Sequence, residues 1–150
     1  YLIRNNSLLQ PFYIAGARDG RPVSGVRVVG NAGPLGGDSA CVDGVAYSHN
    51  VWSDGRCGET DTVADPGFVD PGEFDLRLAE GAAAVGAGDP RDHPRDDIAG
   101  RRRPDGEAPD AGAWERPEPG AAGLSATPRP ARGRVRRPRR SGVAARGSRP

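Results

Sequence analysis

The sequence predicts an all-β chain built as a parallel β-helix; a small antiparallel sheet with irregular loops is the rival arrangement. Three observations bear on this. Three short segments align on an asparagine, the large apolar residues crowd into the first half, and acidic and basic residues separate along the chain.

The aligned segments are Tyr1-Leu2-Ile3-Arg4-Asn5-Asn6, Val26-Arg27-Val28-Val29-Gly30-Asn31 and Val45-Ala46-Tyr47-Ser48-His49-Asn50. Five positions before the last Asn of each stand Tyr1, Val26 and Val45. Three positions before it stand Ile3, Val28 and Tyr47. Residues two apart share one face of a strand. The asparagines lie 25 and 19 residues apart, so the repeat is a short strand and a polar turn. Such a unit cannot bury its apolar face alone, and stacking copies buries it. Asn6, Asn31 and Asn50 would then form a corner stack, passing amide hydrogen bonds from layer to layer. Asparagine also tolerates the left-handed backbone of a sharp corner.

Leu, Ile, Val and Phe number 25 of 150, and 20 of these lie in residues 1–78. That total is below the roughly 20% expected of a chain folded throughout. One modest N-terminal core is therefore expected, with a thin remainder. Residues 1–78 are assigned to β-helix coils, closing with the alternating strand Phe74-Asp75-Leu76-Arg77-Leu78. Residues 79–118 are an irregular capping segment, with Ile98 and Trp114 as its large apolar side chains. Residues 119–150 are an Arg/Pro tail, disordered because only Leu124, Val135 and Val143 have apolar bulk to bury.

The net charge of +1 hides a division. Residues 1–118 hold 12 Arg and all 20 acids, giving −8; residues 119–150 hold nine Arg and no acid, giving +9. Such a tail attracts polyanions without sequence preference, since it lacks the interleaved aromatics of a single-strand binder. There is no Lys, so a Walker lysine, a Schiff-base lysine and a lysine base are absent from these residues. No run of 18 apolar residues offers a membrane span. The sequence opens inside a strand-like pattern without Met and reads as a fragment with its N-terminal part missing.

Residues 47–115 carry a family resemblance. The run Tyr47-Ser48-His49-Asn50-Val51-Trp52, Cys57-Gly58, Thr60-Asp61, Asp65-Pro66-Gly67-Phe68-Val69-Asp70 and Phe74 to Leu78 resembles the last coils of bacterial right-handed parallel β-helix proteins of the pectin-lyase-like superfold. Gly81 to Asp89 resembles the signature that follows them. Asp97-Ile98-Ala99-Gly100-Arg101, Arg103-Pro104 and Pro109-Asp110-Ala111-Gly112-Ala113-Trp114-Glu115 resemble a terminator shared with the choice-of-anchor Q group of surface proteins. The departures are Ala82-Ala83 for Ser-Pro, Gly86 for Asp and Trp114 for Tyr. The first two remove side chains able to hydrogen-bond nearby backbone. The resemblance implies the C-terminal end of an exported bacterial protein that binds or processes extracellular polysaccharide, any catalytic face lying upstream. The alternative is a non-enzymatic cell-surface or adhesion solenoid.

Cys41 and Cys57 enclose 15 residues. A structural disulfide there would staple a thin core and point to export. Free thiols are an alternative. A metal site is the other, though the spacing with His49 and His93 fits no common zinc pattern. Ser48, His49 and Asp54 suggest a triad, but neighbours on a strand point apart, so His49 reads as a corner residue. His93 reads as a solvated loop residue. Asp61, Asp65 and Asp70, and Asp89, Asp92, Asp96 and Asp97, are oxygen-rich loops of the kind that hold Ca²⁺, without the spacing of a defined calcium loop. No catalytic residue and no cofactor is assigned. Phe12, Tyr13, Tyr47 and Trp52 are candidates for stacking on sugar rings, with Tyr47 pointing inward and Trp52 packed on the Cys41–Cys57 loop. The expected partners are polysaccharide or cell-wall glycan, with polyanion contact through the tail. No specific nucleic-acid recognition is expected.

Overall fold

The computed structural model describes residues 1–14, 21–104 and 106–117. The tail assigned to 119–150 lies outside them. The described residues form eight strands: β1 (Leu2–Arg4), β2 (Val26–Val29), β3 (Ala32–Gly33), β4 (Val45–Ser48), β5 (Val51–Trp52), β6 (Thr62–Val63), β7 (Phe68–Asp70) and β8 (Asp75–Leu78).

The strands divide among three separate small sheets. The first has the order β1-β2-β4, the second β3-β5-β6, and both are parallel. The third is the antiparallel pair β7-β8. This corrects the expected right-handed parallel β-helix: the described residues form no continuous solenoid. Two physical reasons stand out. The strands are two to four residues long, against about five or six in ordinary sheets. And β7 is joined to β8 by only four residues, Pro71 to Phe74, whereas a parallel return needs a dozen or more. Pro71–Glu73 forms a 3-10 turn capped by the Asp70 carboxylate, and Phe74 takes φ 61° to close it. Phe74, expected in the last strand, is instead an exposed turn residue at 80% accessibility.

Within the first sheet the register places Ile3 beside Val28 and Val28 beside Tyr47. Their shared face packs on Leu35 and Trp52, with Leu8, Phe12 and the two cysteines around them. Trp52 is fully buried, lies against Phe12 with the rings nearly parallel, and donates from Nε1 to Asp61. Burying a side chain of this size stabilises by roughly 3 kcal/mol. A second, alanine-rich core gathers Ala32, Val51, Leu78, Ala84 and Ala111.

Residues 79–117 contain no strand or helix among the described positions. Residues of this segment hydrogen-bond to the parallel segments. The Gly112 N–H donates to Gly30 O at 2.7 Å, Ala113 N–H to Ser7 Oγ at 3.0 Å and Ala111 N–H to Ala84 O at 2.8 Å. Asp92 accepts from both Arg4 and Arg27, on adjacent strands. Gly112 (φ 95°) leaves no room for a Cβ against Ser7 Oγ, so the approach depends on glycine.

Cys41 and Cys57 form a disulfide, with their Cα atoms 5.4 Å apart. It ties the connection between β3 and β4 to the connection between β5 and β6, beside Trp52. On the loop-entropy model a bridge of this span contributes about 3 kcal/mol. The oxidised chain is therefore expected to exceed the reduced chain by about that amount in urea unfolding with and without reductant. Equal midpoints would show that Trp52 packing holds the loop unaided.

Candidate functional site

The chain turns from the first sheet into the second at three matching corners. The residue before each aligned asparagine has left-handed backbone: Asn5 at φ 51°, Gly30 at 64° and His49 at 54°. The left-handed position is thus the residue before the ladder asparagine, not the asparagine itself. Turned this way, the next side chain points along the stack. Asn6 donates from its backbone N–H and Nδ2 to Asn31 Oδ1 at 3.0 and 2.9 Å. Asn31 donates the same pair to Asn50 Oδ1, both at 2.9 Å. Asn50 donates the same pair to Asp61 Oδ1 at 3.0 and 2.8 Å. Asp61 Oδ2 then accepts from Trp52 Nε1 and the Gly58 N–H. The structure brings Asn6, Asn31 and Asn50 together and adds a fourth member, Asp61, in the same register because Thr62 pairs with Val51.

The other candidates resolve by contact. The triad does not form. Asp54 accepts from the Leu35 and Gly36 N–H groups, and His49 Nδ1 lies 3.6 Å from Asp89. His93 is half-buried rather than solvated, its Nδ1 3.1 Å from Pro94 O. The loop carboxylates are spent on local bonds: Asp65 on Gly67 N–H, Asp70 on Glu73 N–H, Asp89 on Arg91 N–H and Asp97 on Ala99 and Arg101 N–H. Among the described residues no three His, Cys, Asp or Glu side chains gather as a metal-holding group. Trp52 is buried and closed to a sugar, and the half-buried Tyr47 packs against the Trp52 cluster with its hydroxyl accepting from Val42 N–H. Tyr13 is 72% exposed.

The segments 97–103 and 110–115 meet in a buried ionic network. Arg103, at 1% exposure, donates to Glu115 Oε2, Asp110 O and Gly112 O, each at 2.7 Å. Glu115 accepts from Asp110 N–H, and its own N–H donates to Asp97 Oδ2 at 3.0 Å. Burial raises the Glu115 carboxyl most and the Asp110 charge adds to it. The Asp110 N–H and Arg103 pull it down by less, and it stands at about 7. Burial likewise lowers Arg103.

Beside this network lies a cleft of about 450 Å³. Its walls are Val69, Leu78 and Pro117, with Arg77, Arg101 and Arg116 around the half-buried Trp114, and Glu115 beneath. Arg77 is paired with Asp75, and Arg101 donates to Glu115 O. The Glu115 carboxyl is held by Arg103, and the cleft is lined by one aromatic residue and three arginines, of which Arg77 and Arg101 are already engaged. That composition suits binding of a polar ring with an apolar face. The sequence shows Trp114 as a large apolar side chain at the Tyr position of the terminator and does not single it out as a binding residue. The signal available was the density of Arg101, Trp114 and Arg116 in a segment otherwise poor in bulk.

No protein-family model, curated protein or solved structure matches the chain. Function therefore rests on the geometry.

The Glu115 shift has a testable sign. Its folded value of about 7 lies above the usual 4.5. The fold therefore favours the protonated acid. That contribution is complete below about pH 4.5 and is lost as pH rises through about 7. Stability is expected to fall by about 1–3 kcal/mol between pH 5 and pH 8 in urea unfolding. Glu115→Gln, neutral throughout, should flatten that decline.

Proposed function

We propose that the chain is an exported module that binds extracellular polysaccharide through the cleft around Trp114. The observation that carries the reading is a cleft lined by the half-buried Trp114 together with Arg77, Arg101 and Arg116. An indole face covers the apolar face of a sugar ring, and guanidinium forks donate to its hydroxyl or acidic oxygens. The Cys41–Cys57 disulfide supports a place outside the reducing cytosol. The Glu115 carboxyl is committed to Arg103 and Asp110, which favours binding over acid–base chemistry at this cleft. A cell-surface adhesion role is the form such binding takes without turnover. The nine arginines of residues 119–150 add salt-dependent, non-specific attraction to polyanions.

The test is electrophoresis of the oxidised 150-residue chain through gels containing single polysaccharides, neutral and acidic. Retardation by at least one glycan is expected, weakened about tenfold or more in Trp114→Ala and persisting at high salt. Retardation unchanged in Trp114→Ala would move binding away from the cleft. Retardation abolished by salt alone would assign it to the basic tail.

A further inference from the structure

The wall of the Trp114 cleft is tied to the buried ionic network beside it. The Glu115 N–H donates to Asp97 Oδ2 at 3.0 Å and the Arg116 N–H to Asp110 Oδ2 at 2.7 Å. Arg101 donates from Nη1 to Glu115 O. The peptide groups on both sides of Glu115 are therefore held, and they carry Trp114 and Arg116 into the cleft wall. Trp114 and Arg116 are only half-buried and Pro117 is exposed, so apolar burial secures this stretch weakly. Between the two held peptides sits the Glu115 carboxyl, which accepts from Arg103 and from the Asp110 N–H. The charged groups around it are Asp97, Arg103 and Asp110 in the network, and Arg77, Arg101 and Arg116 at the cleft. With Glu115 protonated, the carboxylates of Asp97 and Asp110 face one buried guanidinium, that of Arg103. With Glu115 ionised, three carboxylates face it. Of the cleft arginines, Arg77 is paired with Asp75 and Arg101 is exposed, so they offset the added buried charge weakly. A buried charge without a full counter-charge is costly, and admitting water relieves it.

We infer that the protonation state of Glu115 switches the Trp114 cleft: the neutral acid holds residues 114–116 in the closed arrangement, and the carboxylate releases them to solvent. The bistable element is this short stretch, since its two peptide groups are fastened only to the network that the new charge disrupts. Burial first, and then the Asp110 charge, raise the Glu115 carboxyl to about 7. A released Glu115 in water returns to the usual 4.5. The closed arrangement is thus fully favoured below about pH 4.5 and loses that advantage as pH rises through about 7. The same window biases the two arrangements by up to about a hundredfold. That release weakens glycan binding rests on the function proposed above; the release of Trp114 does not.

Trp114 and Trp52 are the two tryptophans of the chain, so the fluorescence of Trp114→Phe subtracted from that of the parent leaves the Trp114 signal. Acrylamide quenching is measured this way on the full oxidised chain between pH 4.5 and pH 8.5. Quenching of Trp114 is expected to rise about twofold or more across the range, while Trp52 stays shielded. Glu115→Gln should hold Trp114 at its low-pH quenching throughout. In the same chain, gel retardation by a retained glycan should weaken about tenfold or more from pH 5 to pH 8. Quenching of Trp114 that is flat with pH in the parent would overturn the switch. So would an equal rise in Glu115→Gln, which would assign the change to His49 or His93. Trp52 becoming quenched together with Trp114 would overturn it as well, since the whole fold would then be opening. A Glu115-dependent rise in quenching with no glycan retarded at any pH would support the switch and remove the glycan reading of the cleft.

Discussion

One amide side chain per parallel layer, ending on a carboxylate, sets the register of both parallel sheets. Asn50 is fully buried and Asn31 nearly so, yet every amide N–H they carry has an acceptor. A slip of one residue would bury these amides unpaired, at a cost of about 1–3 kcal/mol for each orphaned group. Strands of two to four residues have too few ladder bonds to specify register unaided. Asp61 closes the series because a carboxylate accepts several bonds and needs to donate none. It also holds Trp52 and Gly58, tying the ladder to the larger apolar cluster and to the disulfide loop.

The irregular second half of the described chain depends on the same stack. Its backbone reaches Gly30 and its Asp92 reaches Arg4 and Arg27, so it docks only on layers already in register. Its apolar contribution is small alanines, and it adds a buried Arg103–Glu115 pair. Such a pair stabilises little in itself and is costly when broken. Among the described residues, Asn5 Oδ1 and Arg103 Nε are buried without a hydrogen-bond partner. The network nevertheless fixes Trp114 beside Arg101 and Arg116, which is what gives the cleft its composition.

Much of the local structure was legible in the sequence, and the architecture was not. Aligning three segments on asparagine yields the observed pairing of Ile3, Val28 and Tyr47, because side-chain alternation along a strand is local. The disulfide was one of three readings of the two cysteines in the sequence, beside free thiols and a metal site. The fourth ladder member was hidden, since Asp61 follows Asn50 by only 11 residues and differs in type. The left-handed corner residue was placed one position late. The solenoid expectation failed where connection length took over, at the four residues between β7 and β8. The cleft was illegible because its arginines come from residues 77, 101 and 116, brought together only by the docking of an irregular segment.

Denaturant unfolding of Asn50→Ala beside Asn6→Ala tests the central role of the ladder most directly. Asn50 sits mid-ladder and buried, so its loss orphans several groups and should cost about 3 kcal/mol or more. Asn6 ends the ladder in solvent, so its loss should cost about 1 kcal/mol or less. Similar small losses at both positions would contradict the ladder as the determinant of register and leave the Trp52 cluster in that role.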